Sequence, residues 1–287
     1  MNPTQKLSKA LSFQLVNSSR RTSAVRGNIA PTKMRKHPHI AATIGRTDQC
    51  AEHPPPEQVG TIGGVEAADA EAAEIEASGA TDGGAGKYIV FEGAEGSGKS
   101  TQAARLATTL DAVLTRETGG TDIGARLRAI LHDTTNAHLD DRAEALLAAA
   151  DRAQHLAEVV RPALDAGRTV VSDRSVYSSL AYQGYGRGLD VADIAKLNEW
   201  ATAGRWPDRV IFLDTPDDVV AERMSRRDLD RFESEGEAFH QRVLDGYRTM
   251  AAADPDRWIT VQAIGSIDRV AAQIRAALAE HGVVIDQ

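Results

Sequence analysis

The sequence predicts an α/β domain with a five-stranded parallel sheet flanked by helices, and three observations lead there. From Lys87 onward, short β-rich runs alternate with longer, helically patterned ones, the rhythm of strand–crossover–strand units that pair in parallel. The first run, Tyr88-Ile89-Val90-Phe91-Glu92, opens into Gly93-Ala94-Glu95-Gly96-Ser97-Gly98-Lys99-Ser100, a G-x-x-x-x-G-K-[ST] phosphate-binding loop. A later run ends in Ser172-Asp173-Arg174, which puts charge at the carboxyl end of a buried strand, the edge where open parallel sheets bind ligands.

The elements follow in order. Residues 1–47 hold no Asp or Glu, and residues 48–86 hold no Lys or Arg. Neither stretch has periodic apolar positions, and the second carries Pro54-Pro55-Pro56, so burial cannot offset the entropy of ordering them. Residues 1–86 are therefore expected to be a disordered extension and residues 87–287 the folded domain. The basic, acid-free start has the composition of an organelle transit peptide but lacks an amphipathic stretch; a dispensable extension reads equally well. Strands are expected at 87–92, 112–116, 168–173, 209–214 and 257–262. Helices are expected at 99–110, 122–132, 139–166, 190–203, 216–227, 235–253 and 266–281. Gly167 is placed to stop the long helix, and Asp214-Thr215-Pro216 to start the next one.

Composition narrows the function. Cys50 is the single cysteine, which excludes an internal disulfide and a multi-cysteine zinc site. A formal net charge of −8 disfavours general nucleic-acid binding, because a phosphate backbone attracts positive surfaces. No run is long and apolar enough for a membrane span, so a soluble, cytoplasmic protein is expected.

The loop's chemistry dictates its residues. Polyphosphate needs inward backbone N–H donors, and glycines such as Gly93, Gly96 and Gly98 let the chain curl closely enough. Lys99 is expected to reach the β- and γ-phosphates and the Ser100 hydroxyl to hold Mg²⁺, both at a helix N-terminus that favours anions. These residues point to ATP with Mg²⁺. Asp173 is a candidate for Mg²⁺ or its water shell and Arg174 for a phosphate; a strand-end ion pair is the alternative. In Thr115-Arg116-Glu117-Thr118-Gly119-Gly120, Arg116 is either an acceptor-phosphate clamp or an arginine on a surface turn.

Together with that loop through Thr101, the segments Thr115-Arg116-Glu117, Asp151-Arg152-Ala153-Gln154-His155, Asp173-Arg174 and Tyr182-Gln183-Gly184-Tyr185-Gly186-Arg187-Gly188 resemble the thymidylate kinases, in family order. The resemblance implies a P-loop NTPase fold with a helical lid, a homodimer, and transfer of the ATP γ-phosphoryl group to deoxythymidine monophosphate (dTMP) with Mg²⁺. It implies contacts from Gly93 to Thr101 with ATP, from Glu95 to the acceptor's 3′-hydroxyl, from Arg116 and Arg174 to its phosphate, and from Arg152, Ser179 and Gln183 to its base. Tyr182 would lie beside the sugar. Because Gly96 stands where some relatives carry an arginine, the transferring group's cation is expected from the lid, from Arg226 and Arg227, with Arg223 and Arg231 as further candidates. A kinase with a different base preference and a nucleotide binder without catalysis are the other readings.

Two departures stand out. Thr118 replaces a proline that is often cis in relatives; since a cis bond before another residue is rare and costly, the Glu117–Thr118 bond is expected to be trans. Ala148 stands where relatives carry a phenylalanine that stacks on thymine, so looser base selection is expected.

Overall fold

The computed structural model describes residues 86–216, 219–220 and 230–283. Five strands, β1 (Tyr88–Gly93), β2 (Val113–Arg116), β3 (Val170–Asp173), β4 (Arg209–Asp214) and β5 (Trp258–Gln262), form one parallel sheet in the order β2-β3-β1-β4-β5. Register brings the strand ends together: Phe91 pairs with Asp173, and Asp173 with Arg116. The carboxyl ends of β1, β2 and β3 thus deliver the phosphate loop, the Arg116 turn and Asp173-Arg174 side by side.

Side chains alternate along each strand between two cores, as a sheet covered on both faces requires. Ile89, Phe91, Val171, Ile211 and Leu213 pack with helices α1 (Lys99–Thr109) and α8 (Ile267–Glu280). Tyr88, Val90, Val170, Val210 and Phe212 face the other way, toward α3 (Asp141–His155) and α7 (Glu237–Ala253). Between these lie α2 (Asp122–His132), capped by the Thr121 side chain, and α6 (Val191–Ala201), capped by Asp190. Capping oxygens satisfy amides that the first helical turn cannot pair.

The expected helix 139–166 is a rod with an interruption. α3 runs into a π-type turn, Leu156–Val160, and resumes as α4 (Arg161–Asp165). Pro162 explains the break, since it has no N–H to donate and its ring crowds the carbonyl four residues earlier. Gly167, with φ 74°, then ends the rod as expected.

One helical segment was not expected at all. α5 (Val176–Ser179) continues as a π-type helix, Leu180–Gly186, through the tyrosine-glutamine-glycine motif. Its serines and glycines argue against a helix by propensity, but burial on nearly all sides overrides them. A Cβ on Gly186 would fall 2.7 Å from Phe239, and one on Gly246 2.6 Å from Tyr185, so glycine at both positions lets α7 lie directly against this segment. The expected extension 1–86 lies outside the described residues apart from residue 86, as does the expected helix 216–227 apart from residues 216, 219 and 220. Among the described residues, no helix is long and apolar enough to cross a membrane.

Candidate active site

A cavity of about 370 Å³ opens at this strand edge, lined at one end by Glu95, Gly96, Gly98, Lys99, Ser100 and Thr101 and at the other by Ala148, Arg152, Ser179, Gln183 and Phe232. The phosphate loop builds the first end. Gly93, Gly96 and Gly98 all have positive φ (146°, 71° and 96°), conformations glycine adopts without steric cost. Gly98 caps α1 without a side-chain bond, leaving the first-turn amides of a helix start. Lys99 is buried and donates to the Ala94 carbonyl at 2.7 Å; burial first, then nearby Arg174, lowers its pKa.

Ser100 Oγ donates to Asp173 Oδ2 at 2.5 Å, while Asp173 Oδ1 is buried with no partner. A buried, unpartnered carboxylate oxygen is costly unless a cation or donor completes it. A serine hydroxyl beside one carboxylate, at a phosphate loop, is the donor set with which Mg²⁺ is held through a few protein oxygens plus phosphates. Among the described residues there is no group of three or more His, Cys, Asp and Glu that could hold a metal ion.

The middle of the cavity is cationic. Arg174, in a left-handed backbone conformation (φ 72°), donates to Ser178 at 3.1 Å, to the Tyr182 hydroxyl at 3.1 Å, and to Glu95. Its neighbour Arg116 ends β2 with an exposed side chain. Arg128, from α2, lines the same wall and donates to the Thr118 carbonyl at 3.1 Å. Burial, followed by repulsion from Arg116 and Arg174, lowers the Arg128 pKa; an arginine facing two others that repel it marks a place for an anion. Beneath them Glu92, fully buried at the end of β1, accepts from Ser175, Ser178 and Tyr247 at 2.7, 2.7 and 2.9 Å and so fixes the loop after β3.

The far end carries a directed hydrogen-bond pair. Arg152 is buried and spends four of its five N–H groups internally: on Glu117 at 2.8 Å, Ser179 at 3.0 Å, the Ser175 carbonyl at 3.1 Å, and Asn198. One Nη2 N–H remains. Gln183 donates its amide nitrogen to Glu144 at 2.8 Å, and its oxygen is buried with no partner. Because only the nitrogen end can donate to the carboxylate, the pairing leaves the amide oxygen as the free acceptor.

The comparisons accord with this geometry. A family model described as thymidylate kinase matches residues 91–274. This chain belongs to the thymidylate kinase family. A thymidylate kinase of Solidesulfovibrio magneticus is 49% identical over 197 residues, 64% of this chain and 94% of the relative. Those of Oleidesulfovibrio alaskensis and Clavibacter sepedonicus are each 45% identical, over 206 and 199 residues, covering 67% of this chain in both cases and 97% and 93% of the relatives. The P-loop fold and the five-stranded parallel sheet expected from sequence are those of this thymidylate kinase.

Lys99, Ser100, Arg116, Arg152, Asp173, Arg174, Ser179, Tyr182 and Gln183 all line the one cavity. Arg223, Arg226 and Arg227 lie outside the described residues. Arg231 corrects an expectation: rather than a lid cation it is a buried anchor, donating to Glu144 at 2.6 Å and to the Leu131 carbonyl at 2.7 Å. The Glu117–Thr118 bond corrects another, being cis. The expectation weighed only the local preference at Thr118, whereas the loop is tied on both sides of that bond. Glu117 is bound by Arg152 and His155, the Thr118 carbonyl by Arg128, and the Gly119 amide by Asp151 at 2.9 Å.

Sequence reasoning passed over Glu92, Arg128, Glu144 and Phe232. Glu92 stood in the quoted strand, and an acid closing an otherwise apolar buried run was a usable signal. Glu144, fully buried in α3, accepts from Gln183, Arg187 and Arg231; nothing in its helical surroundings marks it, because its partners come from distant segments.

Proposed function

We propose that this thymidylate kinase transfers the ATP γ-phosphoryl group to the 5′-phosphate of dTMP, forming dTDP and ADP. The observation that carries this is the single cavity in which a phosphate loop, a guanidinium cluster and a donor–acceptor pair follow one another. Lys99 and the amides of residues 93–101 bind the ATP phosphates, and Ser100 with Asp173 would hold Mg²⁺. The metal, when bound, neutralises charge building on the β- and γ-phosphate oxygens. Arg116, Arg128 and Arg174 bind the acceptor phosphate and keep its attacking oxygen in line, which is most of what phosphoryl transfer asks of a protein. Glu95 meets the 3′-hydroxyl, and Arg226 and Arg227 supply charge to the transferring group.

At the base end, the free Arg152 N–H donates to thymine O4, and Gln183 Oε1 accepts from thymine N3–H, with Ser179 holding the arginine in place. Cytosine reverses both groups, presenting an amino donor and a bare N3, so it meets donor against donor and acceptor against acceptor; such unpaired buried groups discriminate strongly. Tyr182 stands beside the sugar. Supply of deoxythymidine nucleotides in the cytoplasm and a homodimeric state belong to the same proposal, the latter measurable by sedimentation velocity. The test is ADP release with dTMP, dUMP, dCMP and dGMP as acceptors. Turnover with dTMP and dUMP far above the other two is expected; equal turnover of all four sinks the base reading, and none at all sinks the reaction.

A further inference from the structure

The base end lacks something a planar ring needs. Arg152 and Gln183 address only the base's edge, and on the same helix as Arg152 the cavity wall carries only the methyl group of Ala148. Tyr182 is already engaged, its hydroxyl bound by Arg174 and its ring 5.1 Å from that guanidinium. Among the described residues that line the cavity, the remaining aromatic carbocycle is Phe232. It shares one buried cluster with Ala148, Leu131 and Tyr182.

Its position is fixed from several directions. The ring lies edge-to-face with His132 at 5.2 Å and with Tyr182 at 5.7 Å, and the Arg231 guanidinium stands 4.5 Å from its centroid. Arg231 is held by Glu144, and Asp230 by His132 at 2.6 Å, while Asp230 Oδ1 accepts the Phe232 and Glu233 amides at 2.9 Å each. A ring so restrained loses little entropy on meeting a ligand, which is what makes an aromatic wall effective.

We propose that Phe232 is the aromatic wall of the acceptor-base site and a specificity-determining residue for a pyrimidine, with Ala148 leaving it the room that a larger side chain on α3 would take. The inference rests on the proposed dTMP reaction and deepens it. Contact between an aromatic side chain and a base is worth roughly 5- to 150-fold in affinity.

Calorimetric titration of the full-length enzyme with dTMP, without ATP, tests it. Phe232→Ala is expected to weaken dTMP binding at least tenfold, and Phe232→Leu, which keeps apolar volume and guards against a folding defect, several-fold. Binding of deoxyribose 5-phosphate, which has no base, is expected to stay unchanged in both. Ala148→Phe is expected to weaken binding in the parent, where two rings overfill the cavity, and to restore it in Phe232→Ala. If both Phe232 variants bind dTMP within twofold of the parent, lose deoxyribose 5-phosphate equally, or if Ala148→Phe tightens binding by the parent, the proposal is overturned. A parent enzyme that binds no dTMP refutes instead the reaction on which the proposal rests.

Discussion

Glu117→Gln probes how the acceptor site is held. The carboxylate is buried between Arg152 at 2.8 Å and His155 at 2.9 Å, and His155 in turn reaches Thr115 at 2.6 Å. Burial by itself would raise the Glu117 pKa, but the Arg152 charge and the bonds from His155 more than offset it and leave the carboxyl below its ordinary value. Gln is isosteric, so no cavity forms and the loss is one of charge. Leaving Arg152 buried without its counter-charge costs about 3–5 kcal/mol, which for a domain of this size lowers Tm by about 6–20 °C. The sign with pH follows from the depressed value. The folded chain holds its proton less tightly than the unfolded chain, so the stabilisation is complete above the ordinary carboxyl value of 4.5 and is lost as pH falls below it through the folded value. Parent and variant melting curves, scanned by circular dichroism from pH 7 to pH 3, should therefore converge at the acid end. Because Glu117 also aims Arg152, KM for dTMP should rise while KM for ATP stays put. A variant that melts within 2 °C of the parent at pH 7, or a gap that widens in acid, refutes this reasoning.

Three further outcomes are expected. Lys99→Ala should lower kcat by about 10²–10³-fold, the loss typical of one charge-stabilising donor, with an unchanged far-ultraviolet spectrum. Asp173→Asn should raise the Mg²⁺ concentration for half-maximal turnover about 10–100-fold, read by titrating Mg²⁺ at fixed ATP. Deleting residues 1–86 should leave kcat and KM unchanged, since the family model begins at residue 91 and 64% of this chain suffices to cover 94% of the Solidesulfovibrio magneticus relative; a large loss would give the extension a role.

What the sequence disclosed depended on how local each signal is. All five strands fall within two residues of their expected bounds because a buried parallel strand is a contiguous apolar run closed by a charge or turn. The phosphate loop was legible for the same reason: its chemistry sits in eight consecutive residues. The helix at 176–186 was not, because glycines that local propensity counts against it are there for the approach of α7, 60 residues downstream. The cis bond and the role of Arg231 escaped likewise, each being set by residues from two or three separate elements. Ala148 was noticed as an absence, but what stands nearby, Phe232, comes from 84 positions further along the chain and could be seen only when the turn at 230–233 was folded against α2 and α3.

The mixture of charges in the cavity has its own logic. Lys99, Arg116, Arg128 and Arg174 share it with Glu95, Asp173, Asp230 and Glu233. A purely cationic site would hold both nucleotides' phosphates tightly before and during transfer alike, which lowers KM without raising kcat. Here the acids constrain the cations: Arg174 is directed by Glu95, and Arg231 is withdrawn into the core by Glu144. The cations left facing the cavity are those at the strand edge and on α2, where the acceptor phosphate would lie against the phosphate loop. Positioning of that kind depends on buried acids more than on the arginines themselves, so substitutions at Glu92, Glu117 and Glu144 should disturb the acceptor side of the reaction while leaving ATP binding intact.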